Sequence, residues 1–485
     1  MGEAIDQDDF SPADYREFTE RLATQSQQLT GLVQKPGFGQ QPASVGIEVE
    51  MSLVGADAHP ALCNLELVEA AASVGAAAEV DQFGAEYDTD PVPLAGSPFA
   101  VLAADLHRGL LEMERQAGDL GIQLVFAGTL PTLTEEVLLR DDVMTPEARY
   151  RAMAAALGRH KFDDYIRFAG PSDEVSVQIP GIAAEGANNA LQVHLVVAPD
   201  NFARVLNASH LVCAPVLAAA ANSPFFVGRR LWADSRIPIF TQAVGGASVP
   251  VAKRRVLLAS DWNVGGAAEV FAENAHRFEP ILPVLYDWNP ADEPPQLHET
   301  RLHAGTIWRW NRPVYDPTGD GHVRIEFRAL PTGPTLVDMI GNSALMLGAS
   351  LAYAEQDCSE LLPFDDVREN LWRAAEFGLD AELQWPDPNN PAGRRRPVID
   401  ILEELLPVAT DALRAAGVAD EDVATAMAPV SARLQRRING ARWQVATAAA
   451  LERDGSRAEA LAGVVHRMAD NGFDGPPLAE WTVPN

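Results

Sequence analysis

The chain has 485 residues, 47% of them hydrophobic and 22% charged, and its 37 Lys and Arg stand against 68 Asp and Glu for a net charge of −31. That is the composition of a globular protein with one large domain or two to three ordinary ones. It excludes the basic surface that nucleic acid or an anionic membrane would need, since Lys occurs only at Lys35, Lys161 and Lys253. A phosphate-bearing ligand would have to be held by clustered Arg, backbone amides or metal ions. Cys63, Cys213 and Cys358 are odd in number and form no CxxC. Three free thiols in a reducing cytosol are expected, and a Cys-built zinc site is excluded. The opening "MGEAIDQDDF" lacks the apolar core of a signal peptide. The stretch "VCAPVLAAAANSPFFVG" is interrupted by Pro215 and Pro224, short of the ~20 apolar residues of a membrane span. A cytoplasmic protein is expected.

Along the chain, residues 1–44 read as an extension with a short helix near Ala13–Leu32 and a loop, "KPGFGQQPAS". From 45 to about 200, strand-like alternation mixes with helices. One helix has Ser97 as cap, Pro98 in the first turn and Gly121 at the stop; others are "TPEARYRAMAAALGRH" and the long apolar "PDNFARVLNASHLVCAPVLAAAANS". Loops rich in Pro, Gly and Trp are expected over 223–320, then a strand over 322–330 and a helix from near Thr335. From 361 onward the period stays near 3.6, so an almost wholly helical region 361–485 is expected to pack on a core spanning 45–360. Irregular spacing between strands argues against a doubly wound sheet. The fold class predicted is α+β.

Four of the strand segments share a peculiarity. "VGIEVEMSLV" (45–54) alternates Val45, Ile47, Val49, Met51 and Leu53 with Glu48 and Glu50; "GAEYDTD" alternates Ala85, Tyr87 and Thr89 with Glu86, Asp88 and Asp90. "LQVHLVV" sets Gln192 and His194 against Leu191, Val193, Leu195 and Val197, and "HVRIEFRAL" sets Arg324, Glu326 and Arg328 against Val323, Ile325 and Phe327. A solvated sheet face is the plain reading. Faces turned to water favour Thr, Ser, Lys and Gln, however, whereas these collect Glu, Asp, His and Arg. Neighbouring carboxylates repel unless a cation lies between them, and oxygen-rich ligation with one His suits Mg2+ or Mn2+. Arg beside Glu326 could hold phosphate or carboxylate by paired hydrogen bonds. Hard cations and Arg forks on a sheet face suit phosphoryl transfer.

Other chemistries drop out. There is no GxxxxGK[ST], no GxGxxG after a strand and no GxSxG. "HETRLH" sets His298 and His303 five positions apart, about 140° around a helix, so a zincin pair is excluded. His107, His160, His210 and His466 sit in helical patterns and read as structural.

In order, "GIEVEMSLV", "EYDTDP", "LQVHLVV", "AAANSPFFVGRRLWADSR", "HAGTIWRW", "VRIEFRALPTGPTLVDMIGNSAL", "RENLWRAAEFGLDAEL" and the tail "RINGARWQVATAAALERDG" resemble the bacterial glutamate–cysteine ligase type 2 family of carboxylate–amine ligases, in the glutamine synthetase superfamily, over roughly 45–470. The resemblance implies a curved, largely antiparallel sheet walled by helices, of the glutamine synthetase/guanido kinase-like kind, with ATP and Mg2+ (or Mn2+) on its concave side. It implies that the glutamate γ-carboxylate is activated as an acyl phosphate and joined to an amine, most simply cysteine. By matching motif, Glu48, Glu50, Glu86, His194 and Glu326 become metal ligands, with Arg328, Glu326 and Glu86 catalytic. Arg236, Arg324, Asn370 and Arg373 become candidates for contact with substrate or nucleotide. Asp88 and Asp90 depart from the family by adding negative charge after Glu86, and the second half of "NSPFFVGRRLWADSR" matches imperfectly; both bear on the amino-acid pocket. A metal-dependent hydrolase on the same carboxylates, or a non-catalytic nucleotide- and metal-binding relative, are the alternatives. The expected partners are small molecules only, with no nucleic acid and no membrane.

Overall fold

In the computed structural model, which describes residues 5–387 and 390–484, six antiparallel strands form a curled sheet. They run Asn311–Asp316, His322–Phe327, Leu191–Val196, Ser44–Val54, Gly84–Asp88 and Ala77–Ala78, and the short Val92–Pro93 and Gln123–Val125 pair to the two ends of Ser44–Val54. The alternation read in the sequence sets the register. Val49 lies opposite Tyr87 and Leu191, so Ile47, Val49 and Met51 turn to one face with Val193, Ile325 and Phe327, all at most 1% exposed. Each buried apolar side chain contributes roughly 1.5–3 kcal/mol. A one-residue slip would carry the whole row to the opposite face, so the acidic row is held where it is despite its own repulsion.

The apolar face is covered by the helices Pro98–Asp119, Pro199–Ala220 and Leu336–Tyr353. The last two are long and apolar enough to span a bilayer by length and composition, and Pro199–Ala220 runs through Pro215, as the long apolar helix read in the sequence does. Both are core helices, with 83% and 78% of their apolar windows buried. Leu336–Tyr353 is capped by Thr335, and its Asp338 meets Arg433 of the helix Asp420–Arg436 at 3.2 Å, both fully buried. Ser97 precedes the helix Pro98–Asp119, but its side chain does not cap it. Asp422 does, accepting from the amides of Phe99 (2.9 Å) and Ala100 (2.8 Å). The C-terminal helices are thus fastened to the core by charge as well as by packing.

Two expectations over element type fail. The 223–320 stretch holds the helices Arg236–Gly245, Gly266–Arg277 and His298–Gly305 and the strand Asn311–Asp316. Pro313 argues against a strand there, yet it sits on the sheet's edge, where a missing N–H is tolerated. The region after 361 is interrupted by a hairpin of Glu382–Asp387 with Asn390–Pro397, because the preceding helix stops at Gly378, a glycine at φ +54°.

Candidate active site

The second face of the sheet, with the helices Ala148–His160, Ala183–Gly186, Arg236–Gly245, Gly266–Arg277 and His298–Gly305, encloses a cavity of about 270 Å³ that opens to solvent. Glu48, Glu50, Glu86, His194, Arg236, Arg324, Glu326 and Arg328 all line it. Cross-strand pairing brings them together. Glu50 faces Glu86, Glu48 faces both Gln192 and Asp88, and Glu326 faces both His194 and Arg312.

At the Arg312 end the acids are paired. Arg312 Nε donates to Glu326 Oε2 at 3.0 Å, and Arg328 Nη1 donates to Glu326 Oε1 and, at 2.7 Å, to Gln192 Oε1. Burial alone would raise Glu326, but Arg312 and Arg328 hold it well below the usual carboxylate range. His194 Nε2 lies 2.7 Å from Glu48 Oε1, and His194 Nδ1 accepts from Arg324 Nε at 3.1 Å, which fixes the proton on Nε2. Burial alone would raise Glu48, but His194 beside it keeps it at about 2. Arg324 also bonds Asp316 at 2.8 Å.

At the Glu86 end the acids are crowded. Glu50 accepts from the Ala190 amide (2.6 Å) and Gln192 Nε2 (2.8 Å), yet burial still pushes it to about 7. Burial raises Glu79 far above its ordinary value, with Glu86 and Glu50 adding to the effect, and raises Glu86 as well. Glu79 and Glu86 thus lie close enough for each to act on the other's protonation. Asp88, on the same face but more exposed, is pushed to about 7 by desolvation and by Glu86 and Glu48. Two sets of three carboxylates, Glu48/Glu86/Asp88 and Glu50/Glu79/Glu86, each bring one oxygen apiece within 4.8 Å of one another. This hard, oxygen-only donor set fits a divalent cation of the Mg2+ type.

Arg236 is buried, and its guanidinium turns to the backbone and to Asp234: Nη1 donates to the Ala329 carbonyl at 3.0 Å and lies 3.8 Å from Asp234 Oδ1, and Nη2 donates to the Arg328 carbonyl at 3.5 Å. It props the strand end that carries Arg328. Asn370 and Arg373 lie outside the cavity. Asn370 pairs with both backbone groups of Gln384 (2.7 and 2.8 Å) and Arg373 donates to the Glu382 carbonyl at 2.7 Å, so both fasten their helix to the hairpin. His298 stacks on Tyr286 and His303 bonds the Asn274 carbonyl at 3.1 Å, in keeping with a structural pair.

Sequence reasoning missed Glu79, Arg312, Arg149, Arg301 and Glu185, which also line the cavity. The register accounts for Glu79: Ala77 pairs with Glu86, so a residue two further on falls on the same face, opposite Gly84. A Cβ at Gly84 would come within 2.9 Å of the Glu79 Cβ, so the glycine leaves room for that acid.

The family model described as glutamate–cysteine ligase family 2 matches residues 44–466. A candidate glutamate–cysteine ligase 2-1 of Frankia alni is 29% identical over 231 residues, 45% of this chain and 50% of that protein. The chain therefore spans half the length of the curated relative it matches. Among solved structures, the glutamate–cysteine ligase of Francisella tularensis in complex with AMP superposes with a TM-score of 0.57 at 11% identity, covering 92% of this chain and 91% of that one. At that identity the likeness speaks for the fold.

Proposed function

The chain belongs to glutamate–cysteine ligase family 2, and from that premise we propose that it is an ATP-dependent carboxylate–amine ligase joining the glutamate γ-carboxylate to an amine, with cysteine the first candidate acceptor. The observation that carries the reading is the convergence of acids from separate strands, with Arg328 and Arg312 beside them, on one cavity.

In the first step a γ-carboxylate oxygen attacks the γ-phosphorus of ATP, and the bond to ADP breaks with its electron pair leaving on ADP. In the second, the amine nitrogen attacks the acyl carbon and inorganic phosphate departs. Glu48, Glu86 and Asp88 would hold one cation and Glu50, Glu79 and Glu86 another. Mg2+ or Mn2+ bound there would neutralise the nucleotide's phosphate oxygens, which a chain of net charge −31 otherwise repels. Arg328, held rigid by Glu326 and Gln192, offsets charge on the transferring phosphoryl group. Glu326 and His194 already have protein partners, so they act as the frame that aims Arg328 and Glu48 and would join a metal only by exchanging those partners. Arg324 is tied to His194 and Asp316 and serves the same frame.

The test is ADP release by the full chain with Mg2+, ATP, glutamate and cysteine, followed by a panel of other amines. Release that requires both amino acids supports the ligase. No release with any pair would overturn it, and turnover of an amide or phosphate ester without nucleotide would replace it with the hydrolase reading.

A further inference from the structure

The acids lining the cavity come from the sheet and its edges, with one exception. Glu185 stands on the short turn Ala183–Gly186, across from the strands. Its sheet counterparts have partners: Glu48 has His194, Glu50 has Ala190 and Gln192, and Glu326 has two Arg. Glu185 Oε2 is buried and has no hydrogen-bond partner among the described residues.

The turn that carries Glu185 is fixed from both sides. Asp81 is seated so closely on Gly186 that a Cβ there would approach its carboxyl carbon to 2.7 Å. Asn188 Nδ2 donates to the carbonyls of Ala184 (2.8 Å) and Glu185 (2.9 Å). Charge arrives from three directions: Arg328 from the sheet and Arg149 from the helix Ala148–His160 attract Glu185, while Asp81 and Glu79 oppose it. A carboxylate oxygen shut off from water without a partner is costly, so its position asks for a ligand that brings a donor.

We propose that Glu185 receives the ammonium group of the acceptor amine and takes its proton before the second step, an assignment that rests on the ligase reading above. An amine reaches the cavity as R–NH3+ and cannot attack until one N–H bond is broken. The proton passes to the Glu185 carboxylate, and the freed pair on nitrogen forms the C–N bond. The C–O bond to phosphate then breaks, its electrons leaving on phosphate. The acids of the sheet are committed to cations or to Arg, which leaves Glu185 for the one cation in the reaction that has to become neutral.

The experiment compares two nucleophiles in the full chain with ATP, Mg2+ and glutamate: an amino-acid amine, which arrives protonated at pH 7, and hydroxylamine, which arrives largely neutral and traps the acyl phosphate as a hydroxamate. In Glu185→Gln, kcat/KM for amide formation is expected to fall 100-fold or more relative to hydroxamate formation, the lower range of general-base effects. Should that variant not fold, Glu185→Asp carries the same comparison, with amide formation again falling further than hydroxamate formation. A ratio within threefold of the unaltered chain's, with both rates falling together, would overturn the assignment and make Glu185 a structural or first-step group. If the unaltered chain yields neither ADP nor hydroxamate, the ligase reading itself falls and takes the assignment with it.

Discussion

Replacing Glu50 by Gln tests the charge balance of the cavity most directly. Burial pushes the Glu50 carboxyl from an ordinary 4.5 to about 7. Because the folded value lies above the unfolded one, the group stabilises the fold fully below about pH 4.5, and that contribution is lost as pH rises through 7. The rise from 4.5 to about 7 is worth about 3 kcal/mol, most of which disappears between pH 5 and pH 8. With an unfolding entropy near 2.1 cal/mol/K per residue, a chain of this length loses about 1 °C of Tm per kcal/mol. Glu50→Gln removes the titration. It also sets an NH2 against one of the two donors from Ala190 and Gln192, a cost of about 1–3 kcal/mol that does not change with pH. The quantity to read is therefore the Tm of the variant minus that of the parent, by scanning calorimetry in EDTA. It should rise by about 2–3 °C from pH 5 to pH 8. Saturating Mg2+ at pH 8 should then stabilise the parent more than the variant. A difference that is flat with pH, or that falls, would refute the account of Glu50 as a carboxyl kept neutral until a cation arrives.

The other expectations are simpler. Arg328→Ala should cut kcat for hydroxamate formation by about 10²–10³-fold, the range for losing one preorganised donor, with a smaller change in KM for ATP; an unchanged kcat would remove Arg328 from the chemistry. Glu86→Gln, which strikes both carboxylate triads at once, should weaken Mg2+ binding by an order of magnitude or more in isothermal titration, whereas an unchanged affinity would place the cations elsewhere. Asn370→Ala should lower stability by about 1–3 kcal/mol, the cost of buried backbone groups left unpaired. It should leave KM for every substrate within twofold, because its partners are Gln384 N and O, and a rise in KM would return it to the site.

The parts of the site that were legible lie on strands long enough to show a period of two. Glu48, Glu50, His194, Glu326 and Arg328 each sit in at least four alternating residues, so residue type and direction could be read together. Glu79 was hidden because the strand it follows, Ala77–Ala78, is two residues long and has no period to display. Arg312 was hidden by Pro313, which is compatible with a strand only at an edge, and edge position belongs to the whole sheet. Asn370 and Arg373 show the opposite failing. Their motif was recognised, but they serve a hairpin instead of the cavity, and Pro386, Pro391 and Pro397 made that hairpin hard to foresee. Where the chain turns back on itself within a few residues, chemistry reaches the cavity without leaving a local signature.

The helix Pro12–Val33 lies wholly before residue 44, where the family match begins. Arg21 and Gln25 from that helix are bonded to Glu299, which is fully buried, and two residues on from Glu299 Arg301 enters the cavity. A chain trimmed to the span shared with its relatives would keep every acid of the sheet and still strip the buried Glu299, on the helix that carries Arg301 into the cavity, of both these partners. The limits of kinship and the limits of the working part do not coincide here, and shortened versions of this protein should be cut with the second in mind.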